Sequence, residues 1–114
     1  MRRDTLYLAD ILEAAEAIEC FVRGIDEVAF VANDLLRSAV LQKLTLIGEA
    51  AAHLSADFKR DNPDVEWADI IGFRNIVVHR YFNIQWEIVW VAATEDAPKL
   101  RDQLRRILEN EDKV

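Results

Sequence analysis

Residues that turn or break a backbone are scarce in this chain, which has three glycines and two prolines in 114 residues. Glycine and proline are the usual places where a chain turns or a helix stops. A sheet protein of this length needs a turn between every pair of short strands, and this sequence can supply few. Few turns mean few and long elements, so the expected fold is all-α: an up-and-down antiparallel bundle of four main helices with a further C-terminal helix after a proline break. Such helices need both a core and a hydrated surface. The composition provides them, with 52% hydrophobic and 31% charged residues, a balance that separates the chain from disordered sequences. Its length predicts one helical domain over residues 1–114.

Apolar spacing locates the helices. Leu8, Ile11, Leu12, Ala15, Ile18 and Val22 recur at helical intervals over residues 4–22, with Asp4 or Thr5 as the expected cap and Gly24 as the expected stop. Residues 26–32 read as a short helix or a packed loop. A second long helix is expected to start at Asn33 or Asp34, with Leu36, Val40, Leu44, Ile47, Ala51 and Leu54 on one stripe. The segment "SADFKRDNPDVEW" reads as a polar connection. A third helix is expected from Val65 or Glu66 onward. A fourth follows Asn83, with Ile84, Ile88 and Val91 on one face and Trp86, Trp90 and Ala93 on the next. Pro98 predicts a kink or short break near residues 95–97. A last helix then carries Leu100, Leu104, Ile107 and Leu108.

The formal net charge of −7 excludes nucleic-acid binding through a generally basic surface. Any such contact must be local. Basic residues do gather in two places: Arg74, His79 and Arg80, and Lys99, Arg101, Arg105 and Arg106. Interspersed Asp102 and Glu109 make the second group read as the solvated face of an amphipathic helix. The single Cys20 cannot form an internal disulfide, fits a reducing compartment and is expected in the core. No uncharged run approaches the ~20 residues of a membrane span, and the N-terminus lacks the uninterrupted apolar core of a signal peptide. A cytoplasmic protein is expected.

The most chemically loaded stretch is "GFRNIVVHRYF", residues 72–82. It sets Arg74, Asn75, His79 and Tyr81 around the apolar Ile76, Val77 and Val78. At about 100° per residue, Asn75 and His79 share one helical face. Arg74 and His79 lie about 140° apart. To form one site they need a helix end near His79, a long arginine reaching round, or a second subunit. Histidine can take or give a proton near neutral pH, arginine grips a phosphate or an anionic transition state, and asparagine can orient either. With no carboxylate pair or metal-ligand cluster beside them, these residues suit metal-independent chemistry at a phosphate with no cofactor. From spacing alone the plain alternative stays open, in which they cap a helix end and bridge to a neighbour.

The stretch "RNIVVHRY" matches the R-N-x3-H-x-Y form of the R-x4-6-H motif of HEPN domains. The blocks "LIGEAA" at 46–51, "NPDVEWADIIGFRN" at 62–75 and "IQWEIVW" at 84–90 extend the resemblance over nearly the whole chain, to the HepT-like (DUF86) branch. The resemblance implies an all-α homodimer with two facing motifs, acting as the toxin ribonuclease of a toxin–antitoxin pair on an RNA substrate. It also implies an MntA-type nucleotidyltransferase antitoxin that silences the toxin by transferring AMP to the motif tyrosine. Carried onto this sequence, Arg74 and His79 take the catalytic roles, Asn75 is the polar residue after the arginine, and Tyr81 takes the modification.

Several residues outside the motif also invite a role. Glu49 lies on an otherwise apolar face beside Gly48, which would let another helix approach closely. It reads as a partner of a buried arginine, such as Arg74, and as a residue behind the site that orients it. His53 reads as a surface or partly buried residue. Trp67, Trp86 and Trp90 read as core or interface anchors. Two other function classes stand beside the RNase: a non-catalytic substrate-binding subunit of a minimal nucleotidyltransferase, and a structural interaction module without a ligand.

Overall fold

A computed structural model describes residues 2–80 and 83–112, with side chains over residues 3–74 and 83–110. Among the described residues seven α-helices are seen: α1 (Arg2–Val22), α2 (Glu27–Ala32), α3 (Asp34–His53), α4 (Ala56–Asp61), α5 (Trp67–Arg80), α6 (Trp86–Val91) and α7 (Ala97–Asp112). No strand occurs among the described residues. No described helix is long and apolar enough to cross a membrane.

The long helices α1, α3, α5 and α7 form the expected up-and-down bundle, but the fourth helix expected after Asn83 is only the six-residue α6, and the C-terminal α7 takes the fourth place. The start of α1 meets the end of α3, where Asp4 bonds Ser55 and the Tyr7 ring stacks on His53 with centroids 5.3 Å apart. α7 runs back along α1, with Arg101 paired to Glu19 and Arg105 to Glu16. So the C-terminal basic group is not merely a solvated face: two of its arginines tie α7 to α1. Leu8, Ile11, Ile18, Val40, Ile47 and Leu104 are essentially sealed from solvent between these helices. Burying each such side chain stabilises the fold by about 1.5–3 kcal/mol before the entropy cost.

Local signals set several boundaries as expected. Gly24 adopts φ +73° after α1, the left-handed conformation that ends a helix. Asn33 caps α3 by accepting from the Leu36 amide. Residues 26–32 resolve into a capped helix, in which Asp26 accepts from the Ala29 amide and Phe30 is buried. Phe30 packs against Trp90 and Trp86, with centroids 5.2 and 6.3 Å away.

Four expectations need correction. Asp4 does not cap α1, which begins at Arg2; its buried carboxylate instead accepts from the Ser55 amide and hydroxyl at 2.9 and 2.7 Å. Ser55 in turn caps α4 by accepting from the Phe58 amide. The connection over residues 55–67 is therefore not plain loop: α4 forms because Phe58 finds a buried place against Trp67, 5.9 Å away edge-on. Cys20 is exposed, not core. It lies off the stripe that carries Ala15, Ile18 and Val22, so the α1 register turns it outward. Finally, Pro98 does not break the chain. A π-helical turn over Ala92–Asp96 joins α6 to α7, and its wider register absorbs the amide that proline lacks.

Candidate active site

α5 carries the motif, and its start is held firmly. The buried Trp67 indole donates to the Asn62 carbonyl at 3.0 Å, and the Ile70 amide reaches the Glu66 carbonyl at 3.1 Å. Ile70 is buried one turn further on. The helix is then drawn against α3 at Gly48, where no side chain intervenes. A Cβ there would lie 3.0 Å from the Ile70 carbonyl oxygen and 3.1 Å from the Arg74 backbone nitrogen. The close approach that Gly48 permits is thus the contact that positions Arg74.

Arg74 is half-buried on α5, and among the described residues no carboxylate pairs with it. α5 continues as a helix through Asn75 and His79 to Arg80. Asn75 and His79 stand four positions apart on the same helix as Arg74, while their side chains, and Tyr81 altogether, lie outside the described residues. Because the helix does not end at His79, Arg74 and His79 keep the wide angular separation of a regular helix. Within one chain the helix path by itself does not bring them together.

Glu49 is exposed on α3. Among the described residues no ion pair joins it to Arg74. The adjacent Gly48 takes the contact with α5, and one residue further along a helix Glu49 turns about 100° away. His53 is exposed at the end of α3, under the Tyr7 ring. Of the tryptophans, Trp67 is buried and Trp86 and Trp90 are half-buried.

Sequence reasoning missed a groove of about 560 Å³ between α3 and the segment that follows α5. Leu41, Ile84 and Trp86 give it apolar walls, and Ser38, Gln42, Thr45 and Glu49 give it a polar edge. The Arg37 guanidinium sits 4.8 Å from the Trp86 ring centroid and is fixed from behind by Asp34 at 3.1 Å. The available signal was the spacing of Ser38, Gln42, Thr45 and Glu49, which recur every three or four residues beside the apolar stripe of α3. No group of three or more metal-ligating side chains occurs among the described residues.

A helical bundle that fixes an arginine by backbone contact on its motif helix, beside a groove with polar and apolar walls, defines a class of small all-α domains with one motif-bearing helix. The family model described as Ribonuclease HepT-like matches residues 11–107, and the chain belongs to that family. Among its relatives, a provisionally named RNase of Methanocaldococcus jannaschii is 38% identical over 98 residues, covering 86% of this chain and 90% of its own. The probable ribonuclease HepT of Thermococcus cleftensis is 35% identical over 101 residues, covering 89% and 92%. A provisionally named RNase of Caldanaerobacter subterraneus subsp. tengcongensis is 32% identical over 111 residues, covering 97% and 99%. No solved structure gives a significant match.

Proposed function

We propose that this chain is the toxin of a toxin–antitoxin pair, a metal-independent endoribonuclease silenced by AMP transfer to Tyr81 from an MntA-type nucleotidyltransferase. The observation that carries the reading is the R-N-x3-H-x-Y pattern, whose arginine, asparagine and histidine positions lie on α5, in a chain of the HepT-like ribonuclease family. In this reading Arg74 neutralises the RNA phosphate as charge builds on it. A neutral His79 imidazole takes the 2′-hydroxyl proton, a bond forms from O2′ to phosphorus, and the bond to the 5′ oxygen breaks. That oxygen leaves with a proton from a second, protonated imidazole, so the products are a 2′,3′-cyclic phosphate and a free 5′-hydroxyl. Asn75, four residues before His79, orients the ring or the substrate. A homodimer supplies the second imidazole, which answers the wide angle between Arg74 and His79 on one continuous helix.

Silencing follows from the same chemistry. The Tyr81 hydroxyl oxygen attacks the α-phosphorus of ATP, pyrophosphate leaves, and the hydroxyl proton passes to the transferase. The phosphodiester so formed is an anion two residues from His79, where it competes with RNA phosphate for the site's positive charge.

The net charge of −7 favours one competing reading, a non-catalytic subunit that presents a substrate to the transferase and uses Arg74 and His79 only to bind an anion. RNA cleavage by the purified chain separates the two. Cleavage is expected, and His79→Ala, still folded by circular dichroism, should lose it by roughly 10²–10⁴-fold. Equal cleavage by His79→Ala, or none by the wild type, would overturn the nuclease reading. Light scattering should find a dimer at micromolar concentration, and a monomer would count against the shared site.

A further inference from the structure

We propose that the groove between α3 and the Ile84–Trp86 segment is a nucleobase subsite that selects guanine in the bound RNA. The inference rests on the RNA-cleavage reading and adds a base preference to it.

The groove's walls suit a base. Leu41, Ile84 and Trp86 supply flat and apolar surface, the kind on which unstacked bases of single-stranded RNA settle. The volume of about 560 Å³ lies in the range of small-ligand pockets. Trp86 is held before any ligand arrives, since Arg37 lies 4.8 Å from its ring centroid and Phe30 packs edge-on at 6.3 Å. A wall already held in place loses little freedom on binding.

The polar edge decides which base. Thr45 spends its only hydroxyl proton on the Leu41 carbonyl, at 2.8 Å, so toward the groove its oxygen can only accept. The Glu49 carboxylate also only accepts. These two residues lie four apart on one face of α3, and acceptors therefore dominate that stretch. Guanine is the base that displays two adjacent donors, N1–H and the N2 amino group, which match the two oxygens of a carboxylate. Its O6 is an acceptor, and the Gln42 amide or the Ser38 hydroxyl can donate to it. Adenine and cytosine set a bare ring acceptor beside their amino group, and a carboxylate repels it. Uracil offers one donor between two carbonyls.

Charge and position agree with a base site rather than a backbone site. Glu49 and Asp34 line the groove and repel phosphate, which sends the RNA backbone elsewhere. Arg74 lies close by: Glu49 directly follows Gly48, whose added Cβ would lie 3.1 Å from the Arg74 nitrogen. A base lodged against Glu49 leaves its strand next to the motif helix.

The test uses the full chain in two measurements. Binding of GMP, AMP, CMP and UMP is measured by calorimetry, and cleavage positions are mapped on a mixed-sequence RNA. GMP should bind tightest, and cuts should cluster at one step relative to guanine. Glu49→Gln, at an exposed position, should fold normally and lose most of the preference for GMP over AMP. Trp86→Leu should weaken all four nucleotides on the order of tenfold, the scale of a lost stacking contact. Equal binding of the four nucleotides, or a GMP preference unchanged in Glu49→Gln, would overturn the proposal. So would light scattering that shows Glu49→Gln splitting a dimer without changing base preference, since the groove would then hold a second copy. Cleavage at all steps alike would sink the guanine subsite and leave the nuclease intact. A GMP preference without cleavage of any RNA would support the subsite and overturn the nuclease reading alone.

Discussion

Gly48 and Arg74 meet backbone to backbone: a methyl group on Gly48 would lie 3.1 Å from the Arg74 nitrogen, and 3.0 Å from the Ile70 carbonyl oxygen. Two effects then oppose each other in Gly48→Ala. Alanine gains about 1 kcal/mol of helix propensity, while overpacking against backbone costs about 1–3 kcal/mol. Backbone cannot swing aside as a side-chain tip can, so the cost should win. We expect a net loss of up to about 2 kcal/mol in urea melts, a larger loss for Gly48→Val, and a fall in RNA cleavage beyond the loss of folded protein. Unchanged stability in Gly48→Val would show that α5 yields easily and that the contact does not position Arg74.

Gly72 makes the opposite case on the same helix. Among the described residues nothing lies within 4 Å of a Cβ there, so Gly72→Ala should gain the propensity term, about 1 kcal/mol, and raise the melting temperature by several degrees. A lowered melting temperature together with a monomer in light scattering would place Gly72 in a contact with another molecule.

Tyr81→Phe should keep the fold and RNA cleavage, and should escape silencing by the nucleotidyltransferase with ATP. Intact-mass and peptide mass spectrometry of the wild type should find AMP on Tyr81. An adduct elsewhere, or silencing that persists in Tyr81→Phe, would show that this tyrosine is not the switch.

Asp4 gives the fold an acid-sensitive tie. Burial pushes its carboxyl pKa up, but hydrogen bonds from the Ser55 side chain and backbone outweigh this and hold it below its ordinary value of 3.8. A depressed folded pKa means a contribution that is present above the unfolded value and lost as pH falls through the folded one. Asp4→Asn turns an amide donor toward the Ser55 donors and should cost about 1–3 kcal/mol at neutral pH. The stability gap between wild type and Asp4→Asn should stay constant from about pH 7 to 5 and shrink below about pH 4. A gap that does not narrow in acid would mean the carboxylate charge is not what holds Ser55.

The two arginines that tie α7 to α1 should differ in weight. Arg105 and Glu16 are about half exposed, so Arg105→Ala should change stability by no more than about 1 kcal/mol. The Arg101 side chain is only 16% exposed against Glu19, and its loss removes packing as well as charge. Arg101→Ala should cost more than Arg105→Ala in denaturant melts, and the reverse order would show that these contacts are set by the surface pair.

The sequence by itself determined what depends on neighbours within a few positions. Apolar spacing marked the long helices, Asn33 and Gly24 marked a start and a stop, and "RNIVVHRY" marked the helix that carries the candidate chemistry. Those signals act through local backbone geometry, where the sequence neighbours are also the physical ones. Tertiary structure decided what depends on a partner far along the chain. Asp4 looked like a cap and instead holds Ser55, 51 residues away, because a buried carboxylate takes the best donors within reach. The polar connection became α4 because Phe58 could bury against Trp67. Cys20 faced outward because the register of α1 was set by Ile18 and its neighbours on the core side. The groove of Leu41, Ile84 and Trp86 belongs to neither segment alone, and packing made it by bringing the chain after α5 back against the middle of α3.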